Sequence, residues 1–271
     1  MELNNKVVII TGGANGIGLA MANRFSKEGA EVIIADISAR KAVSSAKKIN
    51  GYGLACDVTN EADIIRLVKI ILSRYGRIDL FVSNAGVCFG EKNHSASASN
   101  DDWEKSWQVN LMAHVYAARA TLPEMIKQKN GYFLQVISAA ALLTLIGDAA
   151  YSATKSAALS FAESLAISHM DDGIRVSAVC PQYVATEMLG YSKVRKEGLS
   201  TGLLSPDQVA EKVVNGLRAE TFLILPHPEV RKFMQFKLRS YDKWLIGMNQ
   251  LRKKVLEQTG DLDIRNLHKV N

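Results

Sequence analysis

The sequence predicts a single α/β domain of the doubly wound kind, with a seven-stranded parallel sheet, followed by a C-terminal helical extension. Three observations support this fold class. The chain has 271 residues, which one α/β domain can accommodate. Short β-branched runs alternate with stretches of helical periodicity, and several of these runs are apolar at nearly every position. Such runs are typical of parallel strands that are buried on both faces and joined by right-handed helical crossovers.

The predicted strands are spread over the first 228 residues. They comprise residues 6–10, 31–36, 52–56, 78–83, 132–138, 175–180 and 222–225, of which 52–56 is the weakest. Between them, apolar residues recur three or four positions apart, as in Ile17, Ala20, Met21 and Phe25. We therefore assign residues 1–228 to one domain and residues 229–271 to the extension.

The composition is that of an ordinary globular protein, with 48% hydrophobic and 22% charged residues. The formal net charge is +6, but the excess of cations is concentrated between Arg231 and Lys254. A basic tail without a groove-reading motif argues against a nucleic-acid binder. No apolar run is long enough to span a membrane, and the N-terminus leads straight into a strand, so we expect neither an anchor nor a secretory signal.

The cysteines Cys56, Cys88 and Cys180 lie far apart and form no Cys-x-x-Cys pair. Each lies at or just after an apolar run, where a free thiol acts as a small core residue. We interpret them as structural thiols of a reduced, cytoplasmic protein, and we predict no metal site.

A glycine cluster joins the first predicted strand to a helix, with the spacing G-x-x-x-G-x-G at Gly12, Gly16 and Gly18. Glycine lets the backbone turn sharply and approach a pyrophosphate, which the free N–H groups of the helix N-terminus attract. A purely structural turn uses the same residue types. The flanking strand and helix favour a dinucleotide site formed by Gly12, Asn15, Gly16, Ile17 and Gly18.

An acidic residue, Asp36, ends the second strand. A carboxylate at this place accepts hydrogen bonds from the adenosine ribose of NAD and repels the 2′-phosphate of NADP. Ile37 follows it, and the nearest cation, Arg40, is one turn away. The alternative is a turn or helix-cap aspartate. We predict NAD as the cofactor.

Further polar motifs follow the later strands in a fixed order. They are Asp57-Val58, Asn84-Ala85-Gly86, Asn110, Ser138, and Tyr151-x-x-x-Lys155. Together with the glycine spacing, they resemble the short-chain dehydrogenase/reductase family over roughly residues 5–226. The resemblance implies a Rossmann fold, hydride transfer with a nicotinamide cofactor, and a homo-oligomer.

The resemblance also implies a role for each motif. Asp57 and Val58 would hold the adenine ring, and Asn84, Ala85 and Gly86 would support the sheet beside the cofactor. Pro181, Val184 and Thr186 match positions that contact the nicotinamide. Gln182 departs from the family, which usually has glycine there. The substrate's shape therefore cannot be transferred from relatives.

The catalytic assignment is Asn110, Ser138, Tyr151 and Lys155. Tyrosine has a pKa near 10, and a lysine ammonium one helical turn away is expected to lower it, so that Tyr151 acts as the base. Ser138 ends a strand at the ligand-binding edge and can hold the substrate oxygen. By resemblance, Lys155 also grips the nicotinamide ribose, and Asn110 distorts its helix to order a relay water. The alternatives are a surface Tyr/Lys pair and an exposed helical Asn.

Three segments are predicted to form the substrate pocket, namely residues 88–104, 139–148 and 182–204. The predicted lining residues are Ser138, Ala140, Leu145, Tyr151, Gln182, Tyr183 and Met188. Their apolar character favours a bulky apolar secondary alcohol or ketone. We interpret His94, which lies in the first segment, as a solvated histidine.

The extension carries apolar residues at roughly helical spacing, with cations between them. This pattern is compatible with three roles: a helix docked on its own domain or on a partner subunit, a membrane-surface helix, and a lid over the pocket. For the whole chain, the sequence predicts an NAD-dependent oxidoreductase acting on a small-molecule alcohol or ketone. The alternatives are a ketoacyl-type carbonyl reductase and a non-catalytic NAD(H)-sensing protein.

Overall fold

A computed structural model describes residues 1–191 and 202–270 of the chain. Its strands are β1 Val7–Thr11, β2 Glu31–Asp36, β3 Tyr52–Ala55, β4 Leu80–Ser83, β5 Gly131–Val136, β6 Ile174–Val179, β7 Tyr183–Val184, β8 Leu203–Leu204 and β9 Leu223–Ile224. Seven of them form one parallel sheet in the order β3-β2-β1-β4-β5-β6-β9, while β7 and β8 pair separately. The predicted fold class is therefore confirmed.

Helices connect the strands on both faces of the sheet. They are α1 Gly16–Lys27, α2 Ala39–Lys47, α3 Glu61–Tyr75, α4 Asn100–Trp107, α5 Ala113–Lys127, α6 Ala140–Leu143, α7 Ala149–His169, α8 Pro206–Arg218, α9 Glu229–Arg239, α10 Tyr241–Thr259 and α11 Ile264–Leu267. A π-helical turn, Gln108–Met112, joins α4 to α5, and a 3₁₀ turn covers Glu187–Leu189. No helix among residues 1–191 and 202–270 is long and apolar enough to cross a membrane.

The two faces of the sheet explain why whole strands are apolar. Successive side chains of β1 point to opposite faces, so Val8 and Ile10 pack towards α1 and α8, whereas Ile9 packs towards α3 and α5. All three side chains are fully buried. Burying one such side chain contributes about 1.5–3 kcal/mol relative to leaving it in water.

The strand order places the ligand-binding crevice. After β1 the chain crosses to β2 on one side, and it later returns to β4 on the other side of β1. The connections diverge at the carboxyl ends of β1 and β4, which is where open α/β sheets bind ligands. The glycine cluster and Asn84 both lie at this edge, because each directly follows one of these strands.

The C-terminal extension packs on its own chain. Val230 and Trp244 form an apolar cluster with Ala139 and Leu143. At the far end, Val255 and Leu267 pack together with partly buried neighbours that include Leu145 and Tyr183. The Lys237 ammonium donates a hydrogen bond to the Leu142 carbonyl at 2.9 Å. Thus the extension covers the segment between β5 and α7, while its separation from the domain at residue 228 stays a prediction.

Candidate active site

The glycine loop after β1 needs glycine for two distinct reasons. Gly12 and Gly16 adopt φ of +58° and +52°, the left-handed region that other residues rarely enter. Gly18 lies where the chain packs against itself, because a Cβ there would be 2.4 Å from the Gly12 carbonyl oxygen. The Asn15 side chain caps α1 by accepting a hydrogen bond from the Gly16 N–H at 2.8 Å.

Asp36 lies beside this loop at the end of β2. Its carboxylate accepts hydrogen bonds from the Ala14 N–H at 3.2 Å and from the Ser38 N–H at 3.1 Å. These bonds are those of the turn aspartate considered from the sequence. Asp36 nevertheless also lines the large cavity, so it is placed to meet a ligand that occupies the glycine loop.

Asn84 connects the two strands that frame the crevice. Its side-chain amide donates to the carbonyls of Thr11 and Gly12 at 2.9 and 3.0 Å. Its backbone N–H donates to the Thr11 hydroxyl at 3.1 Å. The end of β4 is therefore fixed to the glycine loop. Thr11 was not among the predicted site residues, although it directly precedes Gly12.

Asn110 lies in the π-helical turn and is fully buried, which excludes the exposed helical asparagine considered from the sequence. Its amide oxygen accepts from the Val87 N–H at 3.0 Å, and its amide nitrogen donates to the Val87 carbonyl at 3.0 Å. The same nitrogen donates to the Thr154 hydroxyl at 3.2 Å. The helix is thus distorted where the resemblance implied, and Asn110 joins it to the loop after β4 and to α7.

Ser138, Tyr151 and Lys155 come together at the carboxyl end of β5. Tyr151 and Lys155 lie one turn apart on α7, and the Lys155 Nζ is 5.7 Å from the centre of the Tyr151 ring. The Lys155 ammonium donates to the Val136 carbonyl at 3.1 Å. The Ser138 hydroxyl lies near the Tyr151 hydroxyl and accepts a hydrogen bond from the Ala140 N–H at 3.0 Å. The three side chains are buried and line one cavity, which excludes a surface Tyr/Lys pair.

The pKa of Tyr151 differs from the one predicted from the sequence. Burial raises the pKa of Tyr151 above its ordinary value, and the nearby Ser138 side chain opposes this only partly. Burial also lowers the pKa of Lys155 to about 8. The expectation that the pKa of Tyr151 lies below its ordinary value is therefore wrong for the protein alone. Removing both groups from water disfavours the phenolate and the ammonium together.

The predicted cofactor residues meet around a single cavity of about 1000 Å³. The lining includes Gly12, Asn15, Gly16, Ile17, Asp36, Asp57, Val58, Asn84, Ala85, Gly86, Tyr151, Lys155, Pro181, Val184 and Thr186. Gly18 and Asn110 do not line the cavity, but both contact residues that do. A Cβ on Gly86 would be 3.4 Å from the Asn110 amide oxygen and 3.5 Å from the Lys155 Nζ. Gly86 therefore lies close to both groups.

The predicted substrate residues line the same cavity. They are Ser138, Ala140, Leu145, Tyr151, Gln182, Tyr183 and Met188. Gln182 is held by His227, whose ring accepts from the Gln182 N–H at 3.1 Å and bonds to the Tyr183 carbonyl at 3.0 Å. Residues 192–201 of the predicted segment 182–204 lie outside the described residues.

The prediction that residues 88–104 form part of the substrate pocket is wrong. No residue of 88–104 lines the cavity. The cause is Asp148, a buried carboxylate that accepts from the Phe89 and Gly90 N–H groups at 3.1 and 2.7 Å. It also caps α7 by accepting from the Tyr151 N–H at 2.8 Å, so it holds the segment back against the start of that helix. His94, in the same segment, is exposed, as predicted.

The extension supplies the wall that segment 88–104 does not. Its cavity-lining residues are Phe233, Phe236, Trp244, Gly247, Met248, Leu251, Val255, Ile264 and Leu267. The apolar spacing of the tail was recognised in the sequence, and a lid was one of its three possible roles. Nothing in the sequence fixes which surface those apolar residues face.

A family model described as short chain dehydrogenase matches residues 6–197. Meso-2,3-butanediol dehydrogenase from Serratia marcescens is 34% identical over 195 residues, which cover 69% of this chain and 75% of that protein. Epidermal retinol dehydrogenase 2 from Homo sapiens is 30% identical over 255 residues, covering 87% of this chain and 78% of that protein.

Among solved structures, a 3-ketoacyl-(acyl-carrier-protein) reductase from Brucella melitensis, complexed with NADH, is similar to this chain with a TM-score of 0.73. It is 30% identical, and the similarity covers 82% of this chain and 96% of that one. The segment that the family model matches contains every site residue predicted from the sequence, whereas the extension lies beyond it.

Proposed function

The chain belongs to the short chain dehydrogenase family, and from that membership we propose that it is an NAD-dependent oxidoreductase interconverting a bulky apolar secondary alcohol and its ketone. One observation carries the proposal. Tyr151, Ser138 and Lys155 meet in a cavity with the glycine loop and Asp36 at one end and apolar side chains of the extension at the other. A dinucleotide and an apolar substrate can therefore meet at the tyrosine.

The residues at the first end fit NAD. The glycine loop leaves the N-terminus of α1 open to a pyrophosphate. The Asp36 carboxylate is compatible with ribose hydroxyls, whereas it opposes the charge of a 2′-phosphate. Ile37, the residue after it, supplies no cation to offset that repulsion. The solved relative with bound NADH supports the same choice for this chain.

When bound, NAD would accept the hydride from the alcohol carbon and bring a positive charge on its nicotinamide ring. The chain's own residues move the proton. The Ser138 hydroxyl holds the substrate oxygen, and the Tyr151 phenolate accepts the proton from that oxygen as the carbonyl forms. In the reverse direction the Tyr151 hydroxyl returns this proton to the ketone oxygen.

Lys155 and Asn110 support this transfer without touching the substrate oxygen. The Lys155 side chain donates a hydrogen bond to the Val136 carbonyl. When Lys155 is charged, its ammonium favours the phenolate form of Tyr151. Asn110 fixes the loop after β4 through Val87 and fixes α7 through Thr154. It therefore positions the elements that carry the cofactor cradle and the tyrosine relative to each other.

The opposite end of the cavity favours an apolar substrate. Leu143, Leu145 and Met188 line it from the domain, and Trp244, Met248 and Leu251 line it from the extension. A polar substrate would lose its hydrogen bonds to water here without gaining replacements. The relative named for retinol, a long apolar alcohol, supports this choice.

A ketoacyl-type carbonyl reductase is the second candidate. Asp36 argues against an NADPH-dependent enzyme of this kind, because its carboxylate opposes a 2′-phosphate. The same argument does not exclude a reductase that uses NADH, and the solved 3-ketoacyl-(acyl-carrier-protein) reductase is complexed with NADH. A short ketoacyl thioester therefore belongs in the substrate panel. The complete set of Ser138, Tyr151 and Lys155 favours either enzyme over a non-catalytic NAD(H) sensor.

The test is a fluorescence titration with NADH and NADPH, followed by an absorbance screen at the NADH wavelength with secondary alcohols, ketones and a ketoacyl thioester. We expect tighter binding of NADH and turnover of bulky apolar members. Tighter NADPH binding would contradict the cofactor, and turnover of the thioester alone would favour the second candidate. Binding of neither nucleotide would overturn the proposal. Homo-oligomeric assembly and a cytoplasmic location also stay proposals.

A further inference from the structure

We propose that the outer surface of helices α9 and α10 docks the protein on an anionic lipid bilayer, and that the apolar substrate enters the cavity from that bilayer. The second part rests on the proposed function, whereas the docking itself does not. We define the outer surface by its cations and by its exposed apolar side chains, Phe233, Phe236, Leu238, Tyr241, Leu245 and Ile246.

Packing on the domain leaves three of these apolar residues, Leu238, Leu245 and Ile246, outside the cavity lining and the apolar cluster around Trp244. The inner face of α10, with Trp244, Met248, Leu251 and Val255, already meets the domain and the cavity. Leu238, Leu245 and Ile246 nevertheless expose 79%, 54% and 59% of their surface. Scattered exposed apolar residues are normal, but six within one short stretch form a patch of the kind that marks an interaction site.

Cations accompany the apolar residues on this surface. Eight lie between Arg231 and Lys254, against the single carboxylate of Asp242 in that stretch, and they are Arg231, Lys232, Lys237, Arg239, Lys243, Arg252, Lys253 and Lys254. Within the described part of the chain, none of them forms an ion pair with a carboxylate. Lys237 and Lys254 donate hydrogen bonds to the carbonyls of Leu142 and Val270. The charges of the other six are therefore available to an external anion.

Helical spacing places the two kinds of side chain together. On α9, Lys232, Phe236 and Arg239 follow one another by four and three residues, so they share a face. On α10, Tyr241 and Leu245 share a face by the same rule. Apolar and aromatic side chains among cations are typical of helices that lie in the interface of an anionic membrane.

The patch continues into the cavity. Phe233 and Phe236 are partly exposed, and both also line the cavity. Their rings lie 6.5 and 6.2 Å from the ring of Trp244, a further lining residue. A molecule dissolved in the acyl region could therefore pass between these aromatic side chains without entering water. This continuity favours a lipid surface over an unrelated docking partner.

The first experiment is co-sedimentation of the full chain with vesicles of equal parts phosphatidylcholine and phosphatidylglycerol, and with phosphatidylcholine vesicles alone. We expect binding to the anionic vesicles that weakens as salt is added. Lys232→Glu with Lys243→Glu should lower the partition coefficient by more than about tenfold, since each cation near an anionic surface contributes about fivefold. The matched control is Lys41→Glu with Lys47→Glu on α2, which should leave binding unchanged.

The contribution of the exposed apolar side chains is tested with a double variant and a matched control. Leu245→Ser with Ile246→Ser should weaken vesicle binding severalfold, because neither residue lines the cavity and both are exposed. Val43→Ser with Ile65→Ser, which are 55% and 39% exposed on α2 and α3, should not. Equal binding of all four variants to anionic vesicles would overturn the docking proposal.

Two further readouts separate this proposal from its competitors. If light scattering shows that Leu245→Ser with Ile246→Ser converts an oligomer into a monomer, the patch covers a second copy of the chain and the proposal is wrong. NADH titration of each variant tests the proposed function separately, since none of the changed residues lines the cavity.

The entry route is tested with a substrate dissolved in the vesicles. We expect the vesicles to lower the KM for this substrate in wild type and not in the Leu245→Ser, Ile246→Ser variant. An equal effect on both would overturn that part alone.

Discussion

The two ends of the cavity are built in different ways. The cofactor end consists of glycines and polar side chains that are held by hydrogen bonds within one strand-edge crevice, such as those from Asn84 to Thr11 and Gly12. The substrate end consists of apolar side chains of the domain and of others that the extension brings from more than sixty residues beyond α7. The first end is specified by the geometry of a few bonds, and the second by packing alone.

This difference predicts how each end tolerates change. A hydrogen-bonded group has one partner at one distance, so removing it leaves that partner unpaired. Apolar neighbours of similar volume exchange at small cost as long as the total volume is kept. Substitutions at the cofactor end should therefore have large, specific effects, and those at the substrate end small, graded ones.

The largest effect is expected at the junction of the two ends. Tyr151→Phe removes the proton acceptor, so turnover should fall by about 10²- to 10⁴-fold. NADH binding should change little, because the aromatic ring stays in place. Steady-state kinetics and NADH fluorescence measure the two separately. Tyr183→Phe, in the same cavity, is the control and should keep most of the activity. Near-normal turnover of Tyr151→Phe would rule out the catalytic assignment.

The next effect concerns cofactor choice. Asp36→Asn removes the charge that opposes a 2′-phosphate and weakens the hydrogen bonds to the ribose. The ratio of kcat/KM for NAD to that for NADP should fall by about 10- to 100-fold, since a hydrogen bond to a charged group contributes about 1.5–3 kcal/mol. Asp101→Asn, on the exposed start of α4, is the matched control. An unchanged ratio would mean that Asp36 serves only the turn that it forms with Ser38.

The contrast also explains what could be predicted from the sequence. Gly12, Asp36 and Asn84 could be predicted to lie at one edge of the sheet because each ends or follows a strand, and the carboxyl ends of parallel strands share one edge. The strands themselves were visible as short β-branched or apolar runs, of which the run at β3 was the weakest. Asp148 was missed because a single aspartate before a helix is common, and its contacts with Phe89 and Gly90 join distant segments.

The extension was the least predictable part for the same physical reason. Helical spacing in the tail showed that Trp244, Met248 and Leu251 share a face. It did not show whether that face meets the domain, a partner or a membrane, because apolar packing carries no directional signature. The assignment of residues 88–104 to the pocket failed similarly, since the carboxylate that holds this segment away lies more than forty residues later.

A third effect is the pH dependence of the oxidation. Burial raises the pKa of Tyr151, so only a small fraction is phenolate at neutral pH, and that fraction grows as pH rises towards the pKa. We expect kcat/KM for alcohol oxidation to rise with pH by up to about tenfold per unit. Ketone reduction needs the protonated tyrosine and should show no such rise. Initial rates in both directions across a buffered pH series measure this. A flat oxidation profile would show that proton transfer to Tyr151 does not limit the rate.

The smallest effect is expected at the wall formed by the extension. Trp244→Ala removes an aromatic side chain that lines the cavity and contacts Phe233 and Phe236. The KM for a bulky apolar substrate should rise by about threefold to tenfold, in proportion to the apolar area that loses its contact. The KM for a small secondary alcohol and the affinity for NADH should stay nearly constant, because neither ligand needs that wall.

The control for this change is Trp107→Ala, which removes the same side chain at an exposed position outside the cavity. Thermal unfolding of both variants checks that the fold persists, since Trp244 also packs on Val230 and Leu143. An equal loss for small and bulky substrates would show that Trp244 supports the fold and not the substrate. A selective loss for bulky substrates would show that the extension shapes the pocket through packing, which is why its role could not be derived from any single motif.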